Sequence, residues 1–205
     1  MGLWDERVVP QMVRWACGHE NVDRQRAKVV PRARGRVLEI GMGSGLNVPH
    51  YDPAHVTAVV GIEPSARLRA DASRQAERAP MPVRVLDARA EALPVERASI
   101  DSVVVTYTLC TIPDPDAALA ELRRVLAPGG AIHFVEHGLA PDESVQRMQR
   151  LLEPAWRRLA GGCHLSRDTP ALLERHGFAL TELDTMYLPG PRFLNFNSWG
   201  SARPG

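Results

Sequence analysis

Three glycines and two carboxylates carry most of the chemistry legible in this chain. The segment Val37-Leu38-Glu39-Ile40-Gly41-Met42-Gly43-Ser44-Gly45-Leu46-Asn47 runs an apolar stretch straight into alternating glycines. Without a Cβ, such a turn can adopt positive φ and let a ligand touch backbone. About twenty residues on, Val59-Val60-Gly61-Ile62-Glu63 ends a second apolar stretch with a carboxylate, the arrangement that accepts both ribose hydroxyls of an adenosine.

The spacing G-x-G-x-G departs from the dinucleotide fingerprint, because bulky Leu46 stands where a small residue is wanted. Glu39, just before the glycines, is a poor neighbour for a pyrophosphate and a good one for the ammonium of an amino acid. An adenosine joined to an amino acid satisfies both halves, so the loop reads as a site for S-adenosylmethionine rather than for a nicotinamide cofactor. Its expected contacts are Glu39, Gly41, Met42, Gly43, Gly45 and Asn47 from the first loop, and Glu63, Pro64 and Ser65 from the second.

These residues must be positioned by a parallel sheet. Short β-branched or apolar runs at Val37 to Ile40, Val56 to Ile62, Val83 to Leu86, Ser102 to Tyr107 and Ile132 to Glu136 alternate with amphipathic helices, which predicts βαβ units. A helix from Pro115 to Leu126 carries Leu119, Leu122, Val125 and Leu126 on one face and should stop at Pro128-Gly129-Gly130. Val145, Met148, Leu152, Trp156 and Leu159 mark a second apolar stripe, with Pro154 expected to kink that helix or begin another. The tail reads as strands from Leu180 to Tyr187 and from Phe193 to Ser201, joined through Pro189-Gly190-Pro191 as an antiparallel hairpin. Val8, Val9, Met12, Val13 and Ala16 space as a helical cap at the start.

Ligands in such sheets bind outside the carboxyl ends of the strands. Thr106 and Tyr107 close the fourth strand and His137 the fifth, so Thr106 is expected beside the cofactor, and Tyr107 and His137 beside the reacting groups. His137 could take a proton or orient an acceptor, or only bond its loop. Tyr107 could equally be packing at a strand end. Cys163-His164 invites a nucleophile or metal reading, but adjacent side chains rarely point at one target and no partner ligands are evident, so a pocket wall is the better expectation. Arg167 could hold an acceptor carboxylate or pair with Asp168, and Trp156 reads as core.

Composition narrows the class. The 205 residues, 44% hydrophobic, suit one domain over 1–205: a helical cap (1–34), a cofactor half (35–137), and acceptor-side helices with the closing hairpin (138–205). A net charge of +1, with 25 basic and 24 acidic residues interspersed, advertises no face for nucleic acid or anionic lipid and favours a small-molecule acceptor. Cys17, Cys110 and Cys163 lie far apart with no zinc-ligand spacing, so no metal is expected and a reduced, cytoplasmic setting fits. No run is long and apolar enough for stable membrane insertion. Oligomeric state leaves no trace in the sequence.

In order along the chain, Val37 to Gly45, Gly61-Ile62-Glu63-Pro64, Ala90-Glu91-Ala92-Leu93-Pro94 and Ser99 to Val104 resemble the motifs of class I S-adenosylmethionine-dependent methyltransferases of the type 11 family, and Leu122 to Gly130 resembles the helix and turn before that family's fifth strand. The resemblance implies a Rossmann-like α/β fold with helices on both faces of a seven-stranded, mostly parallel sheet whose last strand is antiparallel. It also implies an adenine contact near Ala90 and Glu91, with Arg89 standing where an aspartate is usual and Asp87 as another option. Thr108-Leu109-Cys110, Phe134-Val135-Glu136-His137, Leu152 to Trp156 and Gly162 to Arg167 are similar to the alkyl thiol methyltransferases, which implies S-methylation of a small thiol. An oxygen or nitrogen acceptor, such as a small metabolite or lipid headgroup, is the alternative, and a non-catalytic cofactor-binding scaffold a third reading. Methyl transfer from a sulfonium needs an aligned, desolvated nucleophile more than covalent help from the protein.

Overall fold

The computed structural model describes residues 8, 11, 12 and 17–205. Val9, Pro10, Val13 and Ala16 of the expected N-terminal cap lie outside the described residues. The first full helix described is α1 (Glu20–Val29), which buries Gln25, Arg26 and Val29.

Seven strands follow: β1 (Gly35–Ile40), β2 (Val56–Ile62), β3 (Val83–Leu86), β4 (Ile100–Thr106), β5 (Leu126–His137), β6 (Phe178–Tyr187) and β7 (Phe196–Pro204). They form one sheet in the order β3-β2-β1-β4-β5-β7-β6. The β1, β2, β3, β4 and β5 pairings are parallel, whereas β7 runs antiparallel between β5 and β6. The expected mostly parallel sheet with an antiparallel last strand is therefore observed. β1 and β4 are buried along nearly their whole length, as parallel strands covered on both faces must be.

The helices between them are α2 (Ala66–Ala76), α3 (Pro115–Val125), α4 (Glu143–Leu159), α5 (Thr169–Arg175) and the short α6 (Arg192–Asn195). Capping residues explain several starts. Ser65 accepts from the Leu68 N–H at the head of α2, Asp114 from Ala117 at α3 and Asp168 from Ala171 at α5. The main core packs Leu119, Leu122 and Val125 of α3 with Leu172 and Leu173 of α5 against Leu38, Val103, Val105, Ile132 and Phe134 of the sheet.

Some boundaries differ from the sequence reading. β5 begins at Leu126, so Pro128-Gly129-Gly130 lies inside a strand. The register shifts between Ile100 and Ser102, and Gly129 at φ +81° absorbs the extra length. β4 ends at Thr106, because Tyr107 takes φ +53° and turns the chain out of the strand. Pro154 neither breaks α4 nor starts a new helix; it sits on an exposed part of a helix continuous from Glu143 to Leu159. The expected stripe on α4 is only partly packed, with Met148 48% and Leu159 51% exposed. Buried Gln149 takes their place, its side chain bonding the backbone of Gly138, Ala140 and Phe193.

Candidate active site

The chain builds outward from β1 to β3, then crosses to the far side of β1 to begin β4. Ligands of doubly wound sheets bind at such a switch point, outside the carboxyl ends of the strands. The glycine loop leaves β1 at this edge. Gly41, Gly43 and Gly45 have φ of +64°, +58° and +82°, values that L side chains rarely adopt.

Their roles divide. A Cβ on Gly41 would meet Thr108 Cγ2 at 2.3 Å, and one on Gly45 would press on Gln75 and Ala72 of α2 at 3.0 and 3.2 Å. Those two glycines serve the protein's own close packing. A Cβ on Gly43 would find only the Gly41 carbonyl at 3.9 Å, so the space over Gly43 is open to a ligand. Met42 is buried and lies against Gly61, where a Cβ would come 2.1 Å from its sulfur, leaving only its backbone for the loop.

Glu63 is 6% exposed, and the loop itself holds it. Oε2 accepts from the Gly43 N–H at 2.9 Å and Oε1 from the Ser65 N–H at 2.8 Å. Burial raises its pKa against the pull of those donors. Each oxygen keeps a lone pair for a further donor. The arrangement fits a diol, as the adenosine reading requires.

Glu39 is fully buried, and burial pushes its carboxyl up to about 7 despite bonds from Tyr51 Oη at 2.7 Å and Asn47 Nδ2 at 2.9 Å. Asn47 also donates to Thr106 Oγ1 at 3.0 Å and accepts from Arg26 Nη1 at 3.0 Å. Arg26 in turn donates to Thr106 Oγ1 at 2.7 Å. Asn47 and Thr106 therefore brace Glu39 and tie α1 to the edge of the sheet. Arg26, eighty residues from Thr106 in sequence, carries no local signal that marks it as part of this cluster.

After β2 and β3, Pro64 contributes its carbonyl to Arg69 at 3.1 Å and Ala90 is buried. Glu91 is held 3.6 Å from Arg89. Asp87 is largely exposed and bonded to Arg69 at 2.9 Å.

Just past the end of β4, Tyr107 donates its hydroxyl to Asn197 Oδ1 of β7 at 2.7 Å, and burial raises its pKa, so it stays a protonated phenol. Glu136, wholly buried, accepts from the N–H groups of Thr108 (2.6 Å) and Leu109 (2.8 Å) through Oε1, while Oε2 has no hydrogen-bond partner among the described residues. It pins the loop after β4 to the end of β5. Arg167 holds that loop from the other side, donating to the carbonyls of Leu109 and of Ile112 (2.9 Å). It does not pair with Asp168, which instead caps α5.

His137 and Cys163 meet. Their Nε2 and Sγ atoms are 3.1 Å apart, and Trp156 Nε1 donates to the same sulfur at 3.3 Å. Hydrogen bonding from Cys110, together with His137 and Trp156, lowers the pKa of the Cys163 thiol. Burial opposes a charged imidazole at His137, yet the neighbouring sulfur holds its pKa up. His164 points elsewhere, its Nδ1 3.2 Å from Glu153. The neighbour pair diverges as expected, but Cys163 finds partners 26 and 53 positions away that spacing rules do not reach. A hollow lined by Arg97, Arg123, Arg124 and Arg203 lies at the amino end of β5, away from this edge.

A doubly wound sheet with a glycine loop after its first strand and a ribose-type carboxylate after its second defines the Rossmann-like methyltransferase class. Residues 38–134 match the Methyltransf_11 family, described as a methyltransferase domain. The chain is 32% identical over 176 residues to the thiol S-methyltransferase TMT1A of Homo sapiens, covering 85% of this chain and 69% of that one. It is 36% identical over 122 residues, 58% of each chain, to a phosphatidylethanolamine N-methyltransferase of Cereibacter sphaeroides. It spans 62 to 69% of the length of the thiol S-methyltransferases it matches. In fold it is similar to a solved Thermotoga maritima methyltransferase, described as a possible histamine N-methyltransferase, with TM-score 0.67, 23% identity and 98% of each chain covered. The chain belongs to the S-adenosylmethionine-dependent methyltransferase family.

Proposed function

We propose that this protein transfers a methyl group from S-adenosylmethionine to the sulfur of a small thiol. The observation that carries the cofactor half is the closed unit of Gly43 and Glu63, in which the loop that would cradle the ligand also orients the carboxylate that would grip it. Glu63 would accept from the ribose hydroxyls, the backbone around Gly43 would lie against the ligand, and Glu39 would face the ammonium. Ala90 and Glu91 would border the adenine. When bound, S-adenosylmethionine supplies a methyl made electrophilic by its sulfonium.

The chain's own residues do the rest by position. Glu136 and Arg167 hold the loop from Thr108 to Ile112 in one conformation. The Thr108 hydroxyl reaches the Gly41 carbonyl at 3.4 Å, so this loop borders the glycine loop. His137 would orient the acceptor or receive its proton, and Tyr107 would wall the pocket while donating to Asn197. A thiol attacks as thiolate, and its ordinary pKa of about 8.5 leaves a useful fraction ionised near neutrality.

The sulfur acceptor is supported by the similarity to thiol S-methyltransferases, the nitrogen alternative by that to the phosphatidylethanolamine N-methyltransferase. The test is calorimetric titration with S-adenosylhomocysteine, then a product assay with small thiols, phenols and amines in the same buffer. Binding with a methylated thiol supports the full reading. Binding with only an amine or phenol methylated moves the acceptor to nitrogen or oxygen, and binding with no methylation leaves a scaffold.

A further inference from the structure

We propose that Cys110, Cys163 and His137 form a zinc site with three protein ligands at the acceptor edge of the sheet, its fourth position open to the acceptor sulfur. The inference rests on the thiol reading for its purpose, though not for the existence of the site.

One ligand atom from each residue lies within 4.8 Å of the other two, and Cys163 Sγ is already 3.1 Å from His137 Nε2. Zinc bonds of about 2.3 Å to sulfur and 2.0–2.1 Å to nitrogen, arranged tetrahedrally, place ligand atoms about 3.5–3.8 Å apart. Closing this cluster on an ion needs shifts of at most about one ångström. Two thiols with an imidazole form a soft, nitrogen-containing set suited to zinc and unsuited to magnesium or calcium.

The surroundings are built for an ion as well. Cys110 is 2% and Cys163 7% exposed, so neither sulfur competes with bulk water. The His164 N–H donates to the Cys110 carbonyl at 2.9 Å, tying together the two segments that carry the cysteines. Glu136 fixes the N–H groups of Thr108 and Leu109, just before Cys110, and Trp156 donates to Cys163. Such supporting bonds hold metal ligands in place. Glu136 Oε2 is buried with no hydrogen-bond partner among the described residues.

Three protein ligands and an open fourth position are the pattern of catalytic rather than structural zinc. An acceptor thiol entering that position would lose its proton to solvent, and the bound thiolate would form the new S–C bond as the sulfonium C–S bond breaks. The bond's electron pair leaves with S-adenosylhomocysteine, and no electron is gained or lost overall. The ion would make the thiolate available at a pH where the free thiol is mostly protonated.

The test uses the whole protein, reduced, stripped with chelator and titrated with Co2+ and then Zn2+. We expect one equivalent of Co2+ to produce tetrahedral d–d bands and a sulfur-to-cobalt charge-transfer band, both lost on adding Zn2+. Cys110→Ser and Cys163→Ser should each reduce the charge-transfer intensity by at least half, while His164→Ala should leave the spectrum unchanged. Calorimetric binding of S-adenosylhomocysteine reports that each variant is folded. Less than one tenth of an equivalent bound by the wild type, or an unaltered spectrum in a folded Cys163→Ser variant, overturns the site. Thiol methylation by the metal-free protein at the full rate overturns its catalytic purpose and leaves the methyltransferase reading intact. A metal-loaded protein that methylates no thiol has the opposite meaning, keeping the site and removing the sulfur acceptor.

Discussion

Glu63 shows how a single side chain gains a role from its neighbours. Two backbone donors orient its carboxylate and leave one lone pair on each oxygen, so under the proposed role its replacement should remove ligand bonds more than fold. Glu63→Ala is expected to weaken S-adenosylhomocysteine binding by about 1.5–3 kcal/mol, roughly 10- to 150-fold, read by titration calorimetry. Unchanged affinity would remove the residue from this role. His133, on β5, shows a titration with consequences for stability. Burial, then the positive charges of Arg32, Arg34 and Arg203, push its pKa down to about 4, and its Nδ1 lies 2.9 Å from Ser201 Oγ. The unfolded imidazole, near 6.5, takes up a proton that the folded one refuses. Its stabilising effect is therefore present above pH 6.5 and lost as pH falls towards 4, by about 3 kcal/mol over that interval. Urea denaturation across this range should show that loss in the wild type and a flatter profile in His133→Gln.

At the scale of elements, strands β1 to β4 are legible because their pattern is local: largely buried apolar runs in β1, β2 and β4 and a short, partly buried Val-Arg-Val-Leu segment in β3. The start of β5 is not legible, since Pro128-Gly129-Gly130 reads as a stop until pairing with β4 absorbs it as an irregularity. The phase of α4 also escapes periodicity, because Gln149 is buried by three backbone bonds that only the fold supplies. β7 illustrates a constraint invisible in a run of residues. It is inserted between β5 and β6, and a Cβ on Gly200 would come 2.0 Å from the Glu182 carbonyl oxygen on β6. Gly200→Ala must displace backbone, and is expected to cost about 2–3 kcal/mol in a denaturant melt monitored by circular dichroism. A loss below about 0.5 kcal/mol would mean that β6 yields freely.

For the molecule as a whole, α1 and the sheet edge are joined through Arg26, Asn47 and Thr106, and the loops after β1, β2, β4 and β5 converge on one edge. A ligand seated there bridges several elements and binds only the folded chain. S-Adenosylhomocysteine at about one hundred times its Kd should therefore stabilise the protein by about 2.7 kcal/mol, seen as a raised melting temperature. NADH at the same concentration should produce no shift, because Leu46 and buried Glu39 do not suit a pyrophosphate. A shift with NADH and none with S-adenosylhomocysteine would reverse the cofactor assignment.

The amino-acid sequence by itself determined the alternating strands and helices, the glycine loop and the carboxylate at the end of the second strand, because each depends on residues close together in the chain. Hydrophobic period, turn chemistry and helix capping act over a few residues and leave a local trace. The tertiary structure alone decided that Glu136 anchors the loop bearing Cys110, that Arg26 braces Glu39 through Asn47, and that Cys110, His137 and Cys163 meet. Those contacts join residues 8 to 53 positions apart that no periodicity links, and they exist because the crossover at the switch point brings the carboxyl ends of β1, β4 and β5 to one edge.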